Sequence, residues 1–291
     1  MILLLIITII VVFGCSKILS QDVKTTTDSK LTKENSEGNI SQSAVSDSIE
    51  VKIATIPESY TTLTEYYFSS NGKNVAYIGG THEKPFIVKN NIPEKYYGSL
   101  LKFSSNGEKF AYIVEGKTGF VVIDGEEGPR YDDVNIYTTR PYFSPNSRDV
   151  LYVAKKENNE FLVLNGKEGK RYRVIIDDPI FSPDSLHIAY NADGVIVLDD
   201  KEFKISDKIK TSDISSVTKS IFFSPDSKKL AFIKGQQPSK NNAVILLDVV
   251  TGQMQEGPKF QYIRLPITFS PDSKRIGYAG MKDRRAVTVQ R

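Results

Sequence analysis

The side chains best suited to acid–base, nucleophilic or metal chemistry are scarce in this sequence. Its 291 residues include two histidines, His82 and His187, and one cysteine, Cys15. Neither histidine stands in a pattern such as G-x-S-x-G or H-E-x-x-H, in which the spacing brings a base to a nucleophile or two ligands to zinc. We therefore predict that both histidines are surface residues, that no catalytic residue is present and that no cofactor is required.

Six aspartates of the sequence lie mostly at predicted turn positions. Aspartate is favoured there because its carboxylate accepts hydrogen bonds from nearby backbone amides. No D-x-D-x-D-G pattern is present, so we predict no metal site, with calcium held by loops as the alternative. The turn aspartates are Asp124, Asp184, Asp199, Asp226, Asp248 and Asp272.

The charges are nearly balanced, with 38 basic and 35 acidic residues and a net charge of +3. So small an excess does not indicate a nucleic-acid partner. We interpret the two basic clusters as solvated surface, with attraction to anionic headgroups or polysaccharide as the alternative. These clusters are Lys167/Lys170/Arg171/Arg173 and Lys282/Arg284/Arg285.

One short phrase recurs six times at intervals of 35 to 46 residues. It consists of phenylalanine, a turn that runs Ser-Pro/Ser-Asp/Asn-Ser/Gly, two further residues that are mostly polar and a β-rich run. These turn residues favour a hairpin, with the phenylalanine at the end of its first strand. Repetition at this period indicates a stacked or radial repeat architecture. The copies begin at Phe68, Phe103, Phe143, Phe181, Phe223 and Phe269.

A second hairpin follows the phrase in most copies. Residues 120–123 lead through Asp124-Gly125 to 130–134, and residues 161–164 lead through Asn165-Gly166 to 171–174. Because Asp-Gly and Asn-Gly favour primed hairpin turns, we predict four-stranded antiparallel units with fourth strands at 130–134 and 171–174. A small residue, mostly alanine, recurs in the second strand and predicts close packing against a neighbouring sheet. Units this small must stack to bury both faces.

The N-terminus has the pattern of a targeting segment. Residues 2–13 are apolar apart from Thr8, a run too short to span a membrane but typical of a signal h-region. Val12-Phe13-Gly14-Cys15 resembles a bacterial lipobox, which implies that Cys15 is lipidated. We predict a signal peptide at 1–14 and an exported, membrane-anchored lipoprotein, with an uncleaved anchor or a wrongly assigned start codon as the alternatives. It would face the periplasm from the outer membrane of a Gram-negative cell and otherwise lie at the cell surface.

The remaining chain divides into a linker and a repeat domain. Residues 15–48 after the signal peptide are polar and contain no aromatic residue, which predicts a disordered linker. The domain at 49–291 contains only five fourth strands, and an additional β-like segment, residues 50–56, precedes the first repeat. Radial closure would let this segment supply the missing strand and remove an exposed edge. We therefore predict an all-β, six-bladed β-propeller of four-stranded antiparallel blades, closed by an N-terminal strand.

The phrase also carries a family resemblance. F-S-P-D-S stands complete at residues 181–185, 223–227 and 269–273, and it resembles the TolB-type β-propeller repeat. The resemblance covers all six copies and most of residues 49–291. It implies a propeller that binds, gates or scaffolds, with any chemistry supplied by another domain. Because the phrase is structural, it transfers no functional residue.

The predicted fold suggests where a ligand would bind. Loops between second and third strands vary among the repeats, and the first strands would line a central channel whose entry lies on the same side. Glu65, Arg140, Asp178 and Lys219 would form a mixed-charge channel mouth, unless they merely pair with one another. We predict a monomeric, non-enzymatic cell-envelope lipoprotein that binds a protein or glycan partner. The alternative is a propeller enzyme, a glycan lyase or hydrolase with its site at the mouth.

Overall fold

The computed structural model describes residues 62–81, 85–134, 141–176, 178–204, 221–235, 241–282 and 285–290. Within these ranges the regular structure is entirely β and forms six antiparallel sheets, each with its strands in chain order. Sheets I to V have four strands and sheet VI has three. The chain divides into two compact units, one containing sheet I and the other sheets II to VI. None of the described residues forms a helix long and apolar enough to cross a membrane.

The strands have the following bounds. Sheet I contains β1 (Thr62–Phe68), β2 (Val75–Gly80), β3 (Pro85–Lys89) and β4 (Ile92–Pro93), and sheet II contains β5 (Ser99–Phe103), β6 (Phe110–Val114), β7 (Phe120–Ile123) and β8 (Glu126–Glu127). Sheet III contains β9 (Tyr142–Phe143), β10 (Val150–Lys156), β11 (Asn159–Leu164) and β12 (Lys167–Glu168). Sheet IV contains β13 (Ile180–Phe181), β14 (Ile188–Ala192), β15 (Val195–Leu198) and β16 (Lys201–Lys204). Sheet V contains β17 (Ile221–Phe223), β18 (Lys229–Lys234), β19 (Ala243–Asp248) and β20 (Met254–Glu256), and sheet VI contains β21 (Tyr262–Phe269), β22 (Ile276–Lys282) and β23 (Arg285–Gln290).

The hairpin predicted from the recurring phrase is confirmed in all six sheets. Every phrase phenylalanine ends a first strand, and the next four residues form the turn. The last residue of each turn has a positive φ, between 59° and 75°, which glycine adopts without strain. Glycine occupies this position in sheets I and II, and serine occupies it in the other four. The turn conformation is therefore constant although its last residue varies.

The second hairpin is confirmed as a primed turn, but its fourth strand was predicted in the wrong place. Asp124 and Gly125 have φ values of 50° and 86°, as a primed turn requires. Because the turn has only two residues, β8 pairs with β7 directly after it, at Glu126–Glu127 and not at 130–134. In the same way, β12 lies at Lys167–Glu168 and not at 171–174. The chain then leaves the sheet after Gly128, where a Cβ atom would lie 2.9 Å from the Val121 carbonyl oxygen.

The segments predicted as fourth strands instead connect neighbouring sheets. In the connection between sheets II and III, Tyr131 pairs with Gly119 of sheet II and Asp133 pairs with Lys155 of sheet III. In the connection between sheets III and IV, Tyr172 pairs with Glu160 and Ile175 pairs with Ala192. These single bridges fix each connection to the start of the third strand of one sheet and to the end of the second strand of the next.

Sheets II to VI bury their apolar residues against one another. On β10, Val150, Tyr152 and Ala154 pack with residues of sheet II, whereas the alternate residues Leu151 and Val153 pack with residues of sheet IV. Successive residues of a strand point to opposite faces, so both faces of sheet III are covered. This confirms the prediction that the units stack.

The recurring small residue and the recurring phenylalanine both lie between sheets. Ala111, Ala189 and Ala231 are fully buried in the clusters that join sheets II–III, IV–V and V–VI. The recurring phenylalanines pack, partly buried, against the clusters between neighbouring sheets. Phe143, Phe181, Phe223 and Phe269 each pack against a different cluster. Full burial of a phenylalanine contributes roughly 1.5–3 kcal/mol, and these partly buried side chains contribute a fraction of that, so the repeated phrase mainly stabilises the contacts between sheets.

Candidate functional site

The predicted site residues fall partly outside the described residues. Cys15, Arg140 and Lys219 belong to ranges that are not described. Glu65 lies on β1, where its exposed carboxylate accepts a hydrogen bond from the Tyr67 hydroxyl. Asp178 is partly buried just ahead of β13. The channel mouth formed by these four charged residues therefore stays a prediction.

Asp178 lies close to the hairpin between the second and third strands of its sheet. Two residues earlier, the Ile176 amide donates a hydrogen bond of 2.8 Å to the Asn191 carbonyl, at the end of β14 where the chain turns into β15. Asp178 then enters β13 from this end. Because strand direction alternates, this is the opposite end from the Ser182–Ser185 turn. The first strand thus begins beside the hairpin that joins the second and third strands.

His187 takes part in a contact that recurs in other repeats. Its Nδ1 lies 2.5 Å from Oδ2 of Asp199, whose Oδ1 accepts the Ile188 amide at 2.9 Å. In sheet III, the Asn165 carboxamide makes equivalent contacts, to Asp149 at 2.7 Å and to the Val150 amide at 2.9 Å. His187 therefore joins the two turns of its sheet.

The phrase turns are linked to one another by what we call the turn ladder. In each link, the backbone amide of the third turn residue donates to the hydroxyl of the last turn residue in the next sheet. The four links join Asn106 to Ser147 at 2.8 Å and, at 3.0 Å each, Asn146 to Ser185, Asp184 to Ser227 and Asp226 to Ser273. At Gly107, which has no hydroxyl, the Asn71 carboxamide fills the space and donates to the Asn106 carbonyl at 2.8 Å.

The aspartates of the ladder have a turn role, as predicted. Asp226 Oδ1 accepts the Ser224 hydroxyl at 2.6 Å and the Lys228 amide at 3.1 Å. The hydrogen bond from Ser224 holds the pKa of Asp226 below its usual value. Asp272 repeats the arrangement with Ser270, which likewise lowers its pKa. These carboxylates are already engaged by local donors.

Three of the four basic residues in the cluster at residues 167–173 pair with neighbouring acids. Lys170 pairs with Glu202 at 2.5 Å, Arg171 with Glu168 at 3.1 Å, and Arg173 with Asp193 at 3.7 Å. These side chains are partly or largely exposed, so their stabilisation of the fold is small. The interpretation of this cluster as solvated surface agrees with these contacts. The second cluster, at Lys282, Arg284 and Arg285, lies mostly outside the described side chains.

A second repeated motif was missed by the sequence analysis. It reads Glu-Gly-x-Arg/Lys-Tyr/Phe, starts at the last residue of the fourth strand and is recognisable from its repetition at 127–131, 168–172 and 256–260. Its basic residue covers the aromatic residue of the third strand, with Arg130 at 4.0 Å from Phe120 and Arg171 at 4.8 Å from Phe161. Its tyrosine reaches the next sheet, where the Tyr172 hydroxyl donates to Glu202 at 3.0 Å.

The hairpin between β10 and β11 lies on the side of the sheets opposite the turn ladder. Glu157 and Asn158 form its tip with φ values of 52° and 63°, and Lys156 and Glu157 are exposed. The Glu157 amide donates to Asp132 of the preceding connection at 2.8 Å. The backbone of this loop is held by Asp132 before it and by Tyr172 after it, and its exposed side chains project from this backbone. Across the described residues, no three His, Cys, Asp or Glu side chains are grouped to hold a metal ion.

No protein-family model and no curated protein matches the sequence. Solved structures similar to this chain include TolB from Acinetobacter baumannii, at 17% identity and a TM-score of 0.36, with 81% of this chain and 62% of TolB covered. The β-propeller domain of the Trilobed protease from Pyrococcus furiosus is 12% identical, with a TM-score of 0.41 and coverage of 80% and 83%. An oligogalacturonate lyase in complex with manganese is 11% identical, with a TM-score of 0.41 and coverage of 74% and 69%. Similarity at this level assigns no function.

Proposed function

We propose that this chain is a non-enzymatic cell-envelope lipoprotein that uses a six-bladed β-propeller to bind a protein or glycan partner. In sheets III to VI, the recurring phenylalanine packs in clusters between sheets, and the recurring turn residues are hydrogen-bonded within and between turns. This is the observation that carries the proposal. Positions that vary among the repeats are then left for recognition, and they lie on loops of a rigid scaffold.

The six-bladed closure is supported by sheet VI. Its last strand, β23, corresponds to a third strand, and in every other sheet a short fourth strand covers that position. Residues 50–56 include the β-branched residues Val51, Ile53, Thr55 and Ile56, a composition that suits an additional strand. We propose that they pair with β23, which would remove its exposed edge.

The partner would contact the loops between second and third strands. The hairpin at residues 155–160 is one described example, with Lys156 and Glu157 exposed at its tip. Asp178 enters its sheet on this side, and Glu65, Arg140 and Lys219 complete the predicted mouth. Polar and charged side chains at such a mouth suit a polar protein surface or a glycan.

The binding test is recovery of a partner from the native envelope. The full lipidated chain would be purified from detergent-solubilised envelopes after chemical cross-linking, and co-purifying proteins and glycans identified. The double variant Lys156→Ala/Glu157→Ala should lose the partner. The control Lys228→Ala/Lys274→Ala alters exposed residues that directly follow two turns of the turn ladder and should retain the partner. Absence of a partner, together with turnover of an offered glycan or peptide, would overturn the proposal and favour a propeller enzyme.

The membrane anchor is tested separately. Cys15→Ser should release the protein from membranes without changing its melting temperature, because the polar linker at 15–48 predicts no shared core with the domain. Fractionation after a carbonate wash measures the release. A Cys15→Ser protein that stays with the membrane would contradict lipidation and favour an uncleaved anchor.

A further inference from the structure

Glu160 is a buried carboxyl group that the proposed binding function does not use. It lies on β11 and is only 4% exposed. Its Oε2 accepts the Ile175 amide at 2.7 Å. Its backbone exchanges two hydrogen bonds of 2.8 Å with Tyr172. Three hydrogen bonds from this one residue therefore hold the connection between sheets III and IV against β11.

The charged groups around Glu160 come from three neighbouring elements. Lys155 faces it across the β10–β11 pair. Asp133 belongs to the connection between sheets II and III and is paired through its backbone with Lys155. Asp193 lies in the turn between β14 and β15, where it accepts the Arg173 amide at 2.8 Å and pairs with the Arg173 guanidinium. Asp133 and Asp193 thus repel an ionised Glu160, whereas Lys155 attracts it. Arg173 partly neutralises Asp193.

Burial is the main influence on this carboxyl group. Removing a carboxylate from water disfavours its charged form, and this raises the pKa of Glu160 above its usual value. The Ile175 amide and Lys155 act in the opposite direction, and Asp193 and Asp133 add to the rise.

We propose that Glu160 is a proton-linked clamp on the connection between sheets III and IV. Its protonated form favours the closed connection at residues 172–175, and its ionisation favours release of that connection. The clamp is a property of the fold and does not depend on the identity of a partner.

The direction follows from linkage between proton binding and opening. When the connection leaves β11, Glu160 is hydrated and its pKa returns towards the ordinary value. The closed state then binds the proton more tightly than the open state, so acidification favours closure. As the pH rises through the closed-state pKa, this stabilisation is lost. Between the two pKa values, the ratio of open to closed molecules rises by up to about tenfold per pH unit.

Amide hydrogen exchange measures this opening directly. Protection of the Tyr172 and Ile175 amides, relative to their intrinsic exchange rates, would be followed from about pH 4 to pH 8 in the wild-type chain. We expect the protection of both to fall as the pH rises. Amides of the buried β10–β11 pair report on general unfolding and should change less.

Two variants separate Glu160 from other carboxylates. Glu160→Gln keeps an acceptor for the Ile175 amide but does not titrate, so the pH dependence should disappear. Glu126→Gln alters an exposed residue of sheet II and should leave it unchanged. Protection that is independent of pH in the wild type, or a dependence that persists in Glu160→Gln, would overturn the proposal. If Glu160→Gln does not fold, NMR titration of the Glu160 carboxyl in the wild-type chain tests the proposal instead. A titration midpoint at or below that of an ordinary glutamate would refute the clamp.

Discussion

Sheets III and VI begin with the same phrase but bury it differently. In the second strand of sheet III, Val150 to Ala154 are all buried. In the second strand of sheet VI, burial alternates, so that Ile276, Tyr278 and Gly280 are buried while the residues between them are partly exposed. The hairpin is local and forms in both sheets. Burial of a second face depends instead on a neighbouring sheet, as the clusters on either side of sheet III show.

The outer edges of the two sheets differ in the same way. The third strand of sheet III is covered by Lys167–Glu168, a short and charged edge of the kind that resists aggregation. The third strand of sheet VI is itself an edge among the described residues, and its residues 286–288 are exposed. It carries no charge from Ala286 to Gln290. Such an edge suits pairing with a further strand.

The largest effect should come from removing the segment proposed to pair with that edge. Deleting residues 49–57 should destabilise the whole domain, whereas deleting 16–45 should leave the melting temperature unchanged. Val51, Ile53 and Ile56 would each contribute roughly 1.5–3 kcal/mol if buried, against a typical total stability of about 5–15 kcal/mol. The two truncated proteins would be melted side by side. Equal melting temperatures would contradict the closing strand.

A pair of aromatic truncations compares the covered sheet with the exposed face of sheet VI. Phe161→Ala should lower the free energy of unfolding by about 3–5 kcal/mol, because Phe161 is fully buried between sheets II and III. Tyr262→Ala should cost about 1 kcal/mol or less, since Tyr262 is 44% exposed. Denaturant unfolding measures both values. Similar losses would show that the face of sheet VI is covered in solution.

Asn191 is a buried residue whose replacement should stabilise the protein. It is 3% exposed at a repeat position that sheet III fills with Val153, and its Oδ1 accepts no hydrogen bond from any described residue. Asn191→Val should raise the free energy of unfolding by about 1–2 kcal/mol, because a buried acceptor without a donor costs about that much. Ala279→Asn, at the same position in sheet VI, should change it little because that residue is partly exposed. Destabilisation by Asn191→Val would indicate that the amide has a structural partner.

The smallest effect concerns the turn ladder, which joins sheets II to VI. Because the pKa of Asp226 is lowered in the folded protein, its ionised form stabilises the fold above its ordinary pKa. That stabilisation is lost as the pH falls through the folded-state pKa. Asp226→Asn should therefore flatten part of the acid-induced loss in melting temperature and change little at neutral pH, since Asn146 occupies the same turn position in sheet III. Asp272→Asn in sheet VI should behave alike, and an unchanged acid profile in both variants would contradict this role.

The sequence determined the local structure because hairpins depend on a few neighbouring residues. Phenylalanine, the turn residues and the β-rich run placed the first hairpin of every sheet, and Asp124-Gly125 and Asn165-Gly166 placed the second turn. The positions of the fourth strands were predicted wrongly. The β propensity of Arg130–Val134 resembles that of a strand, although these residues connect two sheets. Composition does not reveal which sheet a segment pairs with.

Only the tertiary structure decided which polar groups are isolated from water and which are joined between repeats. The serine hydroxyls of the turn ladder bond to residues about 40 positions earlier, a pairing that local turn rules do not predict. Glu160 looks like an ordinary charged residue beside a loop in the sequence. It becomes a buried carboxyl because the connection at residues 171–176 passes over it and places the Ile175 amide at its oxygen. Its environment is made by residues from separate sheets, and their approach depends on how the sheets stack.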